Sequence, residues 1–379
     1  MPIGSSDVLR PTRAEVDLRA LRFNIEQIRK KVGSQTKMMA VVKANAYGHG
    51  IVEVAKAAVG FGVDSLGVAY PEEGLLLRQN GIVAPVVVLA GTVPDQAGTC
   101  VDYDLELAVP SVDIARCVDD AAQRRKRKAK VHLKIDTGME RIGVHAEDAS
   151  RFAKDVAALG HLKIVGIFTH FATSDEADKT FAQRQLERFQ KAIDGIKAMG
   201  MEIPLRHIAN SGAILDMPET CLDMVRPGLI LYGVYPSKET SESLPVKPVM
   251  ALRSSVVFVK EVPANTSISY GREYITSRAT RIATVPIGYA DGYSRLLTNK
   301  SEVLIHGHRY RIVGVICMDQ FMVDIGESTD ITVGDDVTLI GRDGTECITA
   351  WELADRMNTI PYEILCAVSA RVPRVYTNA

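Results

Sequence analysis

The sequence predicts a (β/α)8 barrel of the TIM type followed by a mainly β domain. Three observations carry the prediction. Short apolar runs alternate with helical patterns through the first two-thirds of the chain. Most of those runs are continuously apolar, as strands buried on both faces of a parallel sheet are. After Tyr235 the helical texture gives way to strand-like runs separated by turns.

The elements follow in order. Leu18, Leu21, Ile25, Ile28 and Val32 recur at helical spacing and predict an amphipathic helix. The run MMAVV is the first strand, and a helix follows from about Val52 to Val59. The runs SLGVAY, PVVVLA, LELAV, VHLKI, LKIVGIFTH, LRHIA and LDMVR complete a set of eight. Helical stretches lie between most of them, including EEGLLLRQN, VDIARCVDDAAQRR and KTFAQRQLERFQKAIDGIKAM. The pattern is weakest after the third and seventh strands. Eight βα units in roughly 250 residues fit a closed barrel. The polar segment PSKETSESLPVKP reads as a linker. The expected division is a barrel over 1–244 and a mainly β domain over 245–379. In the latter, SSVVFVKEV, TRIATVPIGY, SEVLIHGHRYRIVGVI and DDVTLIG read as strands and AWELADRMN as a helix.

Bulk composition excludes several functions. The 379 residues carry 45 Lys and Arg against 46 Asp and Glu, for a net charge of -1. Nothing global therefore points to nucleic acid or an anionic membrane. No apolar run reaches the ~18 residues of a membrane span. The start, MPIGSSDVLRPT, lacks the basic and apolar segments of an export signal. Six cysteines are scattered with no CxxC spacing, which reads as reduced thiols in the cytoplasm. No metal site is expected: HExxH is absent, and His306 and His308 flank a glycine in what reads as a hairpin turn. The basic run from Arg124 to Lys128 reads as a solvated helix end.

Reactive groups of such a barrel sit at the C-terminal ends of its strands. Here those ends hold Lys43 after the first strand, and Lys134, Asp136 and Arg141 at the fifth. His170 ends the sixth, His207, Asn210 and Ser211 the seventh, and Arg226 with Gly228 the eighth. The rim is cationic and poor in the paired carboxylates a glycosidase needs. It suits a phosphate and a carboxylate. Ser211 and Gly212, with Gly228 and Leu229, lie in the loops that often hold phosphate in these barrels. A lysine at a buried strand end forms a Schiff base once burial or a neighbouring cation lowers its pKa. Schiff-base lysine, phosphate cradle and basic rim together suggest pyridoxal phosphate.

The segment AVVKANAYGHG resembles the cofactor-lysine segment of the alanine racemases. The resemblance extends, in order, through KIDTGMERIG, FTHFATSDE, HIANSGA, MVRPGLILYG, SYG, PIGYADGYSR, GVICMDQ, TIPYE and RVPR. It implies a barrel plus β domain working as a head-to-tail homodimer, each barrel mouth covered by the partner's β domain. The implied activity is interconversion of L- and D-alanine on pyridoxal phosphate, supplying D-alanine for peptidoglycan. By resemblance, Lys43 is the Schiff-base lysine and one of two acid–base groups. Tyr270 is the other, reaching in from the partner, with His170 in a coupled network behind it. Arg226, supported by His207, faces the pyridine nitrogen. Tyr47, Ser211, Tyr362 and the backbone at Gly228 and Leu229 resemble the phosphate set, and Asn210 and His170 are counted with them as cofactor-binding. Arg141 and the backbone amide of Met318 resemble groups that meet the substrate carboxylate. Lys134 matches a lysine that some members carbamylate. Tyr289, Arg295 and Ile360 resemble residues lining an access corridor. Glu140 stands where many members have glycine. Read alone, Tyr47, Tyr289 and Tyr362 are packing aromatics, and His207 and Met318 are core. Three rivals remain: a serine or broad-specificity racemase, a basic amino acid decarboxylase, and a cofactor-carrying protein. The decarboxylases place a glutamate where Arg226 stands, and the carriers lack the β domain.

Overall fold

The computed structural model describes residues 10–377. The chain start judged to lack an export signal therefore lies mostly outside the described residues. The chain forms two compact units.

The first unit, residues 21–46 and 50–247, is a nearly closed parallel barrel. Its strands are Lys37–Val41, Ser65–Val68, Val86–Val88, Glu106–Val109, Ala129–Asp136, Leu162–Phe168, Leu205–His207 and Met224–Val225. From Lys37–Val41 to Leu205–His207 each pairs in parallel with the next, and Met224–Val225 pairs in parallel with Lys37–Val41. The remaining seam is bridged by Asp223 N–H to Arg206 O at 3.2 Å and Arg226 N–H to Ala209 O at 2.9 Å. The strands from Ser65, Val86 and Glu106 are buried at every position, which is why no period-two alternation marks them. Met39, Val87 and Met224 pack together inside, with Leu89 and Leu205 against them. The opening helix runs Leu18–Val32. The helices after the third and seventh strands are only six residues each, Ala97–Asp102 and Ser211–Asp216, too short to show a full apolar period.

The second unit groups residues 10–20 and Tyr47–His49 with the described residues from Pro248 onward. The units are thus not separated by a single cut at 244/245. The reason is a strand the sequence reading missed, Arg13–Asp17. It pairs antiparallel with Met250–Ser255 and parallel with Arg374–Thr377. Gly48 belongs here because it packs on the chain at Leu365: a Cβ on it would sit 2.1 Å from Leu365 O. Arg374 Nε also donates to Gly48 O at 2.9 Å. The unit is a ten-stranded sheet running from Phe258–Val262 at one edge to Arg374–Thr377 at the other. Val262, Ile268, Ile282 and Val313 form one of its apolar clusters. His306 and Gly307, both at positive φ, make the expected two-residue hairpin turn. A second helix, Pro361–Ala367, follows the expected one at Ala350–Met357.

Among the described residues no helix is long and apolar enough to cross a membrane.

Candidate active site

Lys43 leaves the first barrel strand into a left-handed turn. Ala44, Asn45, Ala46 and Tyr47 all have φ between 52° and 55°. Left-handed backbone costs an L-residue about 1–2 kcal/mol, so neighbouring groups must hold it. Glu73, in the first turn of the helix after the second strand, does so. One carboxylate oxygen accepts from Ala44 N–H at 2.6 Å, and the other from Ala69 N–H at 2.7 Å. Asn45 Oδ1 accepts from Ile51 N–H at 2.9 Å and fastens the far end to the next helix. Tyr232 donates to Val41 O at 2.9 Å, fixing the strand behind Lys43.

The remaining strand-end groups meet inside the barrel mouth. Arg226 is buried. It donates through Nη1 to His207 Nδ1 at 3.0 Å, and through Nη2 to Thr169 O at 2.8 Å, Ile208 O at 3.1 Å and His170 Nδ1 at 3.3 Å. Burial lowers its pKa to about 9, which still leaves it charged at neutral pH. His170 is driven well below the ordinary histidine value, first by burial and then by Arg226, Lys134, Arg141 and Lys43. His207 is lowered likewise by burial and by Arg226. Both imidazoles are therefore neutral acceptors for Arg226. Phe168 was not singled out by the sequence reading, yet it is central. Its ring stacks on His207 at 4.9 Å and lies beneath Lys134 Nζ at 4.9 Å and the Arg226 guanidinium at 5.4 Å.

Lys134 is buried, and its pKa falls to about 7 through burial and Arg226, against the opposing pull of Asp136. Asp136 shapes the loop that carries Arg141. Its oxygens accept from Gly138, Met139, Glu140 and Arg141 N–H at 2.8–3.2 Å. Glu140 sits in that loop at φ 52°, a conformation that glycine adopts without strain. Its side chain is exposed.

The expected phosphate residues fall into two groups. Ser211 Oγ accepts from Gly228 N–H at 3.0 Å and Ile230 N–H at 3.5 Å, so hydroxyl and amides converge beside Leu229. Asn210 Oδ1 caps the short helix, accepting from Ala213 N–H at 3.1 Å and Ser174 Oγ–H at 2.8 Å. That cap steadies the turn on which Ser211 sits. Tyr47 and Tyr362 belong to the second unit, with ring centroids 5.8 Å apart. Burial, with Tyr362 and Cys366 nearby, pushes the Tyr47 phenol far up, so it is a neutral hydroxyl.

The second unit carries its own polar concavity of about 600 Å³, lined by Tyr270, Tyr289, Arg295, Cys317, Met318 and Asp319. Tyr270 is 72% exposed, on a turn whose Ser269 has φ 65° and is tied by Oγ to Val315 O at 2.6 Å. The Tyr289 turn rests on buried Asp291, which accepts from Gly288 N–H at 3.0 Å and pairs with Arg10 at 2.6 Å. Gly288 lies against the Cys317–Met318 turn, where a Cβ would come 2.2 Å from Cys317 O. Among the described residues no cluster of three or more metal-ligating side chains occurs.

The donor set fits an anionic, heteroaromatic phosphate ester. Within the barrel unit the strand ends supply an amine, a guanidinium, the Ser211 hydroxyl and convergent amides, while His170 and His207 there are neutral.

The chain matches the family models "Alanine racemase, N-terminal domain" over residues 16–236 and "Alanine racemase, C-terminal domain" over residues 249–376. It is 46% identical over 371 residues to the alanine racemase of Halothermothrix orenii, covering 98% of both chains. It is 48% identical to alanine racemase 2 of Caldanaerobacter subterraneus subsp. tengcongensis, covering 98% of this chain and 96% of that one. The solved structure of alanine racemase from Clostridium difficile 630 superposes with a TM-score of 0.94 at 41% identity, covering 98% and 96%.

Proposed function

The chain belongs to the alanine racemase family, and we propose that it interconverts L- and D-alanine with pyridoxal phosphate as cofactor. Lys43 would hold the cofactor through its amine. Ser211 and the amides of Gly228 and Leu229, with the hydroxyls of Tyr47 and Tyr362, would hold the phosphate. Arg226 would donate to the ring nitrogen, steadied by His207. Bound there, pyridoxal phosphate supplies an electron sink that acidifies the Cα–H of an attached amino acid.

Racemisation needs a group on each face of Cα. Lys43 removes or returns a proton on one face, and Tyr270 does so on the other. Tyr270 is read as acting in the barrel of a second copy of the chain. Its exposure, and that of Tyr289 and Met318 beside it, supports a surface completed by a partner. Arg141 and the Met318 amide orient the substrate carboxylate, and His170 lies in the network behind Tyr270. Tyr289, Arg295 and Ile360 line the approach. Tyr362 and Tyr270 leave room for little more than a methyl side chain. An arginine is a donor that stays protonated, so Arg226 would leave a bound ring nitrogen unprotonated, which would weaken the electron sink and disfavour transamination. The product role is D-alanine supply for peptidoglycan, in the cytoplasm, a compartment that keeps thiols reduced.

The observation that carries this reading is the buried Arg226, bonded to two neutral histidines in a mouth that also holds Lys43. The test is D-alanine formation from L-alanine by the purified protein with added pyridoxal phosphate, with L-serine and L-lysine alongside. A near-equal D/L mixture from alanine alone is expected, and Lys43→Ala should lose both activity and bound-cofactor absorbance. Bound cofactor without racemisation of any substrate would overturn the reading.

A further inference from the structure

Behind Arg226 a line of polar side chains crosses the barrel interior. His207 Nδ1 faces Arg226 Nη1 at 3.0 Å. His207 Nε2 faces His132 Nδ1 at 3.0 Å, and His132 Nε2 faces Glu106 Oε2 at 3.0 Å. The four residues come from or directly follow the fourth, fifth, seventh and eighth barrel strands. The sixth strand makes room. Gly166 lies against His132, and a Cβ there would sit 2.2 Å from His132 Nδ1. Both imidazoles are fully buried, held edge to face with ring centroids 5.1 Å apart.

The two ends dictate every proton between them. A guanidinium only donates, and a carboxylate only accepts. Burial alone would raise the Glu106 carboxyl, but the bond from His132 and the ammonium of Lys130, 3.7 Å from Oε1, outweigh it and keep the group ionised. His132 therefore donates from Nε2 and offers its Nδ1 lone pair. His207 donates from Nε2 into that lone pair and offers its own Nδ1 to Arg226. A proton on Nδ1 of His207 would point at an N–H of Arg226. A proton on Nδ1 of His132 would point at the N–H of His207. One arrangement satisfies all four groups, with both histidines neutral and protonated on Nε2.

We infer that Glu106 and His132 are positioning residues of the racemase site. They fix the His207 tautomer, so that His207 accepts from Arg226 and holds the guanidinium as a pure donor towards the ring. The inference rests on the reading that Arg226 faces the cofactor ring nitrogen. It explains why a charged carboxylate is buried four strands away from the residue it serves, and why a glycine stands at 166.

The test uses full-length protein with ¹⁵N-labelled histidine, with and without pyridoxal phosphate. Ring-nitrogen shifts read each tautomer directly. Wild type should show His132 and His207 protonated on Nε2 only. Glu106→Leu should leave His132 without a fixed tautomer and disturb the His207 signals. Its kcat for alanine should fall roughly tenfold, the weight of one hydrogen bond to a charged group, with KM little changed. Glu106→Gln keeps an acceptor oxygen and should restore both the His207 signals and most of kcat. Gly166→Ala should displace His132 and reproduce the leucine variant. Wild-type His207 protonated on Nδ1 would overturn the inference even if no variant folds. So would a Glu106→Leu protein with His207 signals and kcat unchanged. A protein with the expected tautomers but no racemisation would instead overturn the functional reading and leave the relay standing.

Discussion

Ala44→Gly measures the strain in the turn that carries Lys43. Ala44 has φ 52° and ψ 51°, where its Cβ crowds the following carbonyl by about 1–2 kcal/mol. The methyl is exposed, so its removal opens no cavity. The Ala44 N–H keeps its bond to Glu73. Against the relief stands the extra freedom glycine gives the unfolded chain, about 0.4–1 kcal/mol. Relief wins, and the variant should be more stable by roughly 0.5–1 kcal/mol. Ala46→Gly is the internal control. It shares the backbone conformation, with φ 54° and ψ 51°, but is fully buried. Losing its methyl forfeits a further ~0.8 kcal/mol of burial, so it should come out near neutral. The assay is the shift in urea midpoint, at constant m, for cofactor-free protein. Racemisation should move the opposite way in Ala44→Gly, because a relaxed turn holds Lys43 less firmly. Destabilisation of Ala44→Gly beyond about 1 kcal/mol at unchanged m would refute the argument that this turn is strained.

Three further outcomes are expected. Glu73→Gln leaves one acceptor oxygen for the N–H groups of Ala44, Ala69 and Tyr70, which now share two, so it should destabilise by about 1–2 kcal/mol. It should also speed hydrogen exchange at Ala44, and exchange unchanged there would remove Glu73 from the account. Lys134 has a folded pKa of about 7, below its unfolded value of roughly 10.4. The folded state therefore binds fewer protons between those values, and stability rises with pH across that window. Lys134→Met should be more stable than wild type by up to a few kcal/mol at pH ~6, with the advantage shrinking towards pH ~10. The proteins are compared cofactor-free and depleted of carbon dioxide, and an advantage independent of pH would count against the lowered value. Tyr270→Phe should impair proton abstraction from one enantiomer of alanine more than from the other in isotope exchange, and equal losses would exclude the two-base scheme.

The barrel was legible because its strands are buried on both faces and the helices between them mostly show a full apolar period. The signal failed where elements were short or paired far away in sequence. Ala97–Asp102 and Ser211–Asp216 span fewer than two turns. Arg13–Asp17 holds three charged residues in five and is a strand because Met250–Ser255 and Arg374–Thr377 flank it, more than 200 residues on. Only its buried Ala14 and Val16 hint at the alternation, too few to be read alone. Pro361 at the first position of a helix was a usable start signal for Pro361–Ala367.

The site divides by the same logic. Groups at strand ends were readable because a barrel puts strand ends in one place: Lys43, His170, His207 and Arg226 each follow from that rule. Glu73 was not readable. Its role depends on a left-handed turn at Ala44, Asn45 and Ala46, and two of those residues are alanines, which give no warning of positive φ. Glu106 and His132 lie between these cases. In a strand, residues two apart share a face. His132, Lys134 and Asp136 are thus a polar row inside a segment otherwise filled by Val131, Leu133 and Ile135. Burying such a row is unfavourable unless each member meets a partner. The row therefore already implied an acceptor for His132 from a neighbouring strand, and Glu106 is the carboxylate of the adjacent run LELAV. Polar residues alternating within a buried strand mark a satisfied network, and following them inward from the strand ends leads from Arg226 to Glu106.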